Sequence, residues 1–350
     1  MIKKIKKIIV EFLYYLRLKK MFQNRLDGSG LLEKGRYKIY FSTKPFLYNV
    51  YEYENLKKYN NRSSKWLELL NSPICISDEK KTNFSGQAIR LVQNDKFQIY
   101  DFQRKRVLTI FKEKKQQLKI KGIYLRLKGK LSLTYLGTNS MGILERYIDC
   151  NPECFCNEQE KKRQYLQVIN DMEHMIRYSY KQQFLNVNSY KKKWICDVRG
   201  INDLLSEIEK RIDGEKIPQI YIHGDVHRGN ILKDSNGKLY YIDIEYARDD
   251  VFFYDCFNYI YVDYVYNNDN VLMNMYLEKD NEIFSGIKKI FQAVGLEFNE
   301  SDYLQYWLVF LQRRIIEEIN LSYVYLLDKN NRESYLQKYV NFYEVIMRRV

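Results

Sequence analysis

Hydrophobic periodicity changes at Asn151 and Pro152, and that change commits the chain to two differently built halves. Before it, from about residue 73, apolar residues come in short runs rich in β-branched and aromatic side chains, at 74–77, 88–93, 97–102, 107–111 and 131–135, with 141–148 as a last strand. Turns at Asn94-Asp95 and from Gln103 to Lys105 separate them, so a small antiparallel sheet is expected, with one helix over 112–128 beside it. After Pro152 the repeat is helical, over about 160–185, 200–212, 283–294, 302–325 and 333–348. Only 219–245 interrupts it, reading as strand, polar loop, short strand, a turn at Asn236-Gly237 and strand.

The N-terminus has a third character. Ile2, Ile5, Ile8, Ile9, Phe12, Leu13 and Leu16 recur at helical spacing, while Lys3, Lys4, Lys6, Lys7, Lys19 and Lys20 occupy much of the rest. This predicts a basic amphipathic helix within 1–35, closed by a turn at Asp27-Gly28-Ser29-Gly30. Residues 2–20 can dock on the protein's own body or lie as a peripheral contact on a membrane surface. Glu11 and the lack of a small-residue cleavage site argue against a secretory signal, and no apolar run is long enough to span a bilayer. Further on, 36–42 reads as a strand and 49–70 as a helix.

Composition narrows the partners. The net charge of +14 favours phosphate-rich ligands without choosing among them, and no nucleic-acid-binding motif accompanies it. The runs from Lys112 to Lys121 and Lys191 to Lys193 read as solvated faces. Six cysteines without regular spacing read as reduced thiols in a cytoplasmic protein. Cys150, Cys154 and Cys156 lie close together, yet no histidine is near, so a plain loop is expected there.

The interrupting stretch carries the chemistry. From Ile220 it reads IYIHGDVHRGNILKDSNGKLYYIDIEYARDDVFFYDCFNYI. Asp225 and Asn230 stand at an Asp-x-x-x-x-Asn spacing, so one loop can present a carboxylate that orients a hydroxyl and an amide oxygen for a metal. Asp243 ends a short strand and can offer a second metal oxygen, the donor type magnesium prefers. Taken singly, Asp225, Asp243 and Asp255 read as turn carboxylates and His223 as a core histidine. Their intervals make them a set.

His223-Gly224-Asp225, Asn230-Ile231-Leu232 and Ile242-Asp243-Ile244-Glu245-Tyr246-Ala247, followed by Tyr254-Asp255, resemble the aminoglycoside phosphotransferase and choline kinase group. The resemblance implies an α+β, two-lobed protein-kinase-like fold. A small antiparallel-sheet N-lobe would occupy 36–148, and a mainly helical C-lobe 149–350, with its catalytic loop in 220–258. It implies Asp225 as catalytic base, Asn230 and Asp243 as magnesium ligands, and His223, His227 and Asp255 as supports of the loop. ATP and magnesium are the implied cofactors.

Gly224 stands where kinases that phosphorylate proteins carry an arginine, no proline follows Asp243, and the run from Asp243 to Asp255 is short. These features favour a small-molecule or glycan hydroxyl over a peptide: an amino alcohol, a sugar or an aminoglycoside. In the first lobe Ser85 and Gly86, within Asn83 to Gln87, are expected over the phosphates. Glu145 and Tyr147 are expected at the adenine, where the resemblance places the link between lobes. No Val-Ala-Ile-Lys-like strand occurs. Thr109 or Tyr100 takes the lysine's place according to register, and Arg90, Lys96, Arg106 and Lys112 are its candidate substitutes.

Trp307, Tyr303 and Tyr306 suit either a core helix, the preferred reading, or a cage for a cationic amine. Glu317, Glu318 and Asp302 would serve an aminoglycoside if they lined the site. The missing lysine and the N-terminal helix leave one competing reading: a catalytically weak pseudokinase that binds nucleotide and acts as a scaffold at a membrane.

Overall fold

A computed structural model of the chain describes residues 9, 12–13, 16–17, 19–20, 26, 29–41, 45–49, 74–76, 84–92, 96–149, 157–186, 200–212, 216–320 and 329–348. The readings at 1–8, Asp27-Gly28, 49–70, Asn83, Asn94-Asp95, 150–156, 191–193 and Cys196 lie outside the described residues, apart from Asn49, which ends a strand. The chain divides into two compact units, 1–125 with 134–149, and 126–133 with 150–350.

The first unit is built on an eight-stranded antiparallel sheet. Its strands are β1 (Gly35–Phe41), β2 (Pro45–Asn49), β3 (Ile74–Ile76), β4 (Ala88–Leu91), β5 (Phe97–Asp101), β6 (Arg106–Ile110), β7 (Tyr135–Thr138) and β8 (Ile143–Arg146), in the order β3-β1-β2-β4-β5-β6-β8-β7. Alternation sets the faces. Phe97, Ile99 and Asp101 of β5 point inward while Gln98 and Tyr100 are half-buried. Helix α1 (Lys114–Leu127) buries Ile120, Ile123, Tyr124 and Leu127 at three- and four-residue spacing and leaves its lysine-rich side outward.

One expected strand moves. Residues 131–135 do not form it: Gly129, at φ +78°, turns the chain so that Lys130 and Leu131 donate back to Leu127 O, at 3.0 and 3.2 Å. Leu131 and Leu133 make only isolated bridges, to Lys128 and Tyr241, and β7 begins at Tyr135.

The second unit is mainly helical: α2 (Glu158–Ser179), α3 (Ile201–Arg211), α4 (Tyr254–Asn267), α5 (Val271–Leu277), α6 (Asn281–Gln292), α7 (Tyr303–Asn320) and α8 (Lys329–Met347). Asn157 caps α2 by accepting from Glu160 N at 2.9 Å, and Tyr165, Val168, Ile169, Met172, Met175 and Ile176 form its inner stripe. The helical reading of 160–185 runs past the observed end. Gln182 takes a positive φ, and the chain then forms β9 (Phe184–Asn186), which pairs with β10 (Lys216–Ile222). On its other edge β10 pairs with β13 (Arg248–Val251), and a separate hairpin joins β11 (Ile231–Lys233) to β12 (Leu239–Tyr241).

Helix α4 went unassigned by periodicity because every residue from 254 to 263 is buried, which leaves no polar face to mark a helical repeat. It is the central helix of this unit. Trp307 of α7, fully buried, packs on Phe257 of α4 at 4.6 Å between ring centroids and on Phe310 and Phe342. Trp307 is therefore a core side chain, as preferred, and is not placed to receive an amine.

Candidate active site

Strand β10 ends at Ile222, and the next residues carry the site. His223 is fully buried. Its N–H donates to Asp255 Oδ2 at 2.8 Å, and that of Gly224 donates to Asp255 Oδ1 at 2.9 Å. Asp255 lies in the first turn of α4, so one buried carboxylate pins two consecutive backbone donors to the start of the central helix. Hydrogen bonds to a charged acceptor contribute about 1.5–3 kcal/mol each. Burial pushes the Asp255 carboxyl up from its usual value, and His223 with the two N–H groups opposes the shift.

Two more residues of α4 hold the same loop. Asn258 Nδ2 donates to Val226 O at 3.0 Å, and Asp263 accepts from Arg228 Nη2, which also meets Asp269 Oδ2 at 2.9 Å. Gly224 has φ +83°, and a Cβ there would fall 2.2 Å from Tyr246 O. Only glycine fits so close a backbone approach.

Asp225 is thereby presented at the loop's tip. Asn230 Nδ2 donates to its Oδ2 at 2.9 Å and to its backbone oxygen at 3.0 Å. With the amide nitrogen so committed, Oδ1 is the end of Asn230 that can ligate a cation. His223 Nδ1 accepts from Asp225 N at 3.3 Å, so its Nε2 carries the proton donated to Ile242 O at 2.9 Å. His227 Nδ1 accepts from Gly229 N at 3.0 Å, which turns its Nε2 toward Asp225 Oδ2, 3.6 Å away. Burial alone would push the Asp225 carboxyl up; His227, Arg314 and His223 outweigh it and hold it below the usual carboxylate value.

Asp243 arrives through the hairpin. Ile231 pairs with Tyr241, and Ile242 N donates to Asn230 O at 3.0 Å, so the residue after Ile242 emerges beside Asn230. Asp243 is exposed, takes a left-handed backbone (φ +61°), and opens a short 3-10 turn, Ile244–Tyr246. Among the described residues no three His, Cys, Asp or Glu side chains form a metal cluster. Asn230 and Asp243 supply an amide and a carboxylate oxygen, a set that fits magnesium when phosphate oxygens and water complete its shell.

The residues expected at the nucleotide all lie in the sheet unit. Gly86 N donates to Leu31 O at 2.9 Å, and a Cβ on Gly86 would lie 2.4 Å from Ile99 Cγ2 and 2.8 Å from Tyr100 O. Its glycine character thus serves close packing of backbones, and its N–H is already engaged; Ser85 precedes it, half-buried. Glu145 accepts from Thr109 Oγ1 at 2.8 Å, Tyr124 Oη at 2.6 Å and Thr134 Oγ1 at 2.9 Å. Tyr147 N donates to Lys105 O at 2.9 Å, and its ring stands edge-on to Tyr100 and Phe102. Of the lysine substitutes, Arg106 is paired with the buried Asp101 at 2.8 Å. Thr109 is spent on Glu145.

Sequence reasoning passed over Asn258, Arg248 and Arg314. Asn258 sits three residues after Asp255 and so shares its helix face, a legible signal. The two arginines are brought in by tertiary packing. Glu317 and Glu318 are paired inside the unit, with Arg248 at 3.4 Å and Arg314 at 2.6 Å, while Asp302 closes an exposed turn with Asn299 and Ser301.

No family model and no curated protein matches the chain. Solved structures to which the chain is similar include the ethanolamine kinase of Plasmodium vivax, at 12% identity over 75% of this chain and 83% of that one, with a TM-score of 0.44. The choline kinase of Streptococcus pneumoniae is similar at 12% identity over 74% and 91%, with a TM-score of 0.42. A thermostable mutant of an aminoglycoside phosphotransferase is similar at 13% over 78% and 95%, with a TM-score of 0.44.

Proposed function

We propose that this chain is an ATP- and magnesium-dependent phosphotransferase acting on a hydroxyl of a small molecule or glycan. One observation carries the reading: a single loop and an adjoining hairpin gather Asp225, Asn230 and Asp243, through Asn230 Nδ2 on Asp225 and Asn230 O on Ile242 N. Magnesium bound by Asn230 Oδ1 and Asp243 would offset charge on the transferred phosphate.

Asp225 orients the acceptor. Its Oδ2 is occupied by Asn230, so Oδ1 receives the acceptor hydroxyl. Because His227, Arg314 and His223 lower its proton affinity, Asp225 stays ionised at neutral pH. It acts mainly by aligning the hydroxyl and takes the proton late, as suits a transition state with little bonding to the nucleophile. His223 and Asp255 hold the backbone on which that alignment depends.

Amino alcohols, sugars and aminoglycosides are the acceptor classes that this reading offers for test. Trp307 is spent in the core, and Glu317 and Glu318 are paired with arginines, so neither group supplies a ready cation pocket. Magnesium-dependent ADP release screened against the three acceptor classes, with Asp225→Asn as control, tests the reading. Acceptor-stimulated release abolished in the variant supports it; turnover unaffected by the substitution sinks it.

A cytoplasmic setting belongs to the same proposal, since ATP is the donor. Among the described residues no helix is long and apolar enough to cross a membrane. Exposed Ile9, Leu13 and Leu16 share one helix face near Lys20, an arrangement suited to peripheral contact with an anionic inner-membrane face. Co-sedimentation with anionic but not neutral vesicles, lost on Leu13→Glu, tests that contact.

A further inference from the structure

Arg248 meets three segments of the candidate site at once. In the ladder of β10 and β13 it pairs with Ile222, the residue before His223, so the strand register delivers it to the mouth of the loop. From there its Nη1 donates to Tyr246 O at 3.1 Å, closing the turn that begins at Asp243. A Cβ on Gly224 would lie 2.8 Å from that same Nη1, so the guanidinium lies against the backbone that precedes Asp225. Its Cζ stands 4.6 Å from the ring centroid of Tyr254, the neighbour of Asp255.

The guanidinium is itself anchored. Nε donates to Asp250 Oδ2 at 3.0 Å and lies 3.4 Å from Glu317 Oε2 of α7. Asp250 is fully buried and also accepts from Arg313 Nε at 2.8 Å and from Val251 N at 2.9 Å. The anchor is therefore a rigid acid held by a second arginine and the backbone. A planar, forked guanidinium can serve Tyr246 O and Asp250 together; a lysine ammonium at the same place can reach one of them well.

We propose that Arg248 is a positioning residue that fixes the metal-binding turn, 243–246, against the loop that carries Asp225 and Asn230. It touches no reacting atom. Its role is to hold the two halves of the metal site in register, with Gly224 keeping the room for it. The inference rests on the phosphotransferase reading and adds to it the element that couples base and metal ligand.

The test uses the full chain with Mn2+ and a non-hydrolysable ATP analogue, followed by paramagnetic resonance of the metal, alongside thermal melting. Displacing the support of a metal ligand typically weakens binding roughly 10–100-fold. Arg248→Lys and Arg248→Met are expected to weaken metal–nucleotide binding in that range, the lysine variant less. Trp307→Phe, a core change away from the loop, is expected to lower the melting temperature while leaving that affinity unchanged. Affinity in both Arg248 variants equal to wild type, or falling only in step with melting temperature as it does in Trp307→Phe, overturns the positioning role. In that case the phosphotransferase reading survives, provided Asp243→Asn still abolishes binding. A wild-type chain that binds no metal–nucleotide overturns both.

Discussion

Glu145 in the sheet unit and Asp255 in the helical unit are both carboxylates with several donors, and they use them differently. Glu145 collects three side-chain hydroxyls, from β6, α1 and the residue before β7, so its charge is spent holding neighbouring elements together. Asp255 collects the N–H groups of two consecutive residues, so it fixes the path of a chain segment. Hydroxyls rotate to suit an acceptor, whereas backbone donors carry the chain with them. The consequence is visible in the adjoining loop, where the half-buried Asp225 is held in a defined orientation. Two close-packed glycines, one in each unit, repeat the contrast: Gly86 seats one backbone on another within the sheet, while Gly224 seats the loop beneath Tyr246 and Arg248.

The contrast breaks most plainly at Asp225. Asp225→Asn should reduce acceptor-dependent ADP release about 10²–10⁴-fold, the range for loss of a general base, with only a modest fall in melting temperature. A variant that keeps its turnover would place Asp225 with the structural carboxylates.

Gly224→Ala and Gly86→Ala should separate next. Each forces backbones apart, and strain of this kind costs about 1–3 kcal/mol, read by chemical denaturation. Turnover should fall beyond the stability loss only for Gly224→Ala. Equal kinetic damage from Gly86→Ala would mean that the segment before β4 takes part in catalysis.

Glu145→Gln should destabilise the protein by about 1–3 kcal/mol, because three hydroxyls lose an ionised acceptor. If Glu145 instead served the nucleotide directly, the apparent KM for ATP would rise without a matching loss of stability.

The smallest effect is expected at His227. The folded-state Asp225 carboxyl lies below its unfolded value, so the stability it contributes is present above the unfolded value and is lost as pH falls through the folded one. His227→Ala removes one lowering influence, so the acid limb of the pH–turnover profile should move to higher pH. An unmoved limb would leave Arg314 and His223 as the groups that set it.

Much of the candidate site was legible before any fold was known. Asp225, Asn230 and Asp243 were legible as a set because the loop and the hairpin that carry them are continuous in sequence, whereas the bonds that hold the loop come from Asp255 and Asn258 of α4. The alternating strands 97–101 and 106–110 and the amphipathic α2 and α6 were legible for the same reason. Helix α4 was not, because complete burial erases the polar face that periodicity detects. Residues 131–135 misled because apolar content resembles a strand, while Gly129 sends the chain back on Leu127.

The sequence by itself determined which groups could do chemistry, because ligand type and spacing are properties of the chain's order. Only the tertiary structure decided which charges are available. Glu317, Glu318 and Arg106 looked like candidates for substrate or phosphate until packing paired them with Arg248, Arg314 and Asp101. Arg248 gave no sign of importance until the register of β10 and β13 carried it to Gly224. A charge is neutralised or left available by what lies within about 4 Å in space, and neighbours at that range are supplied by distant parts of the chain.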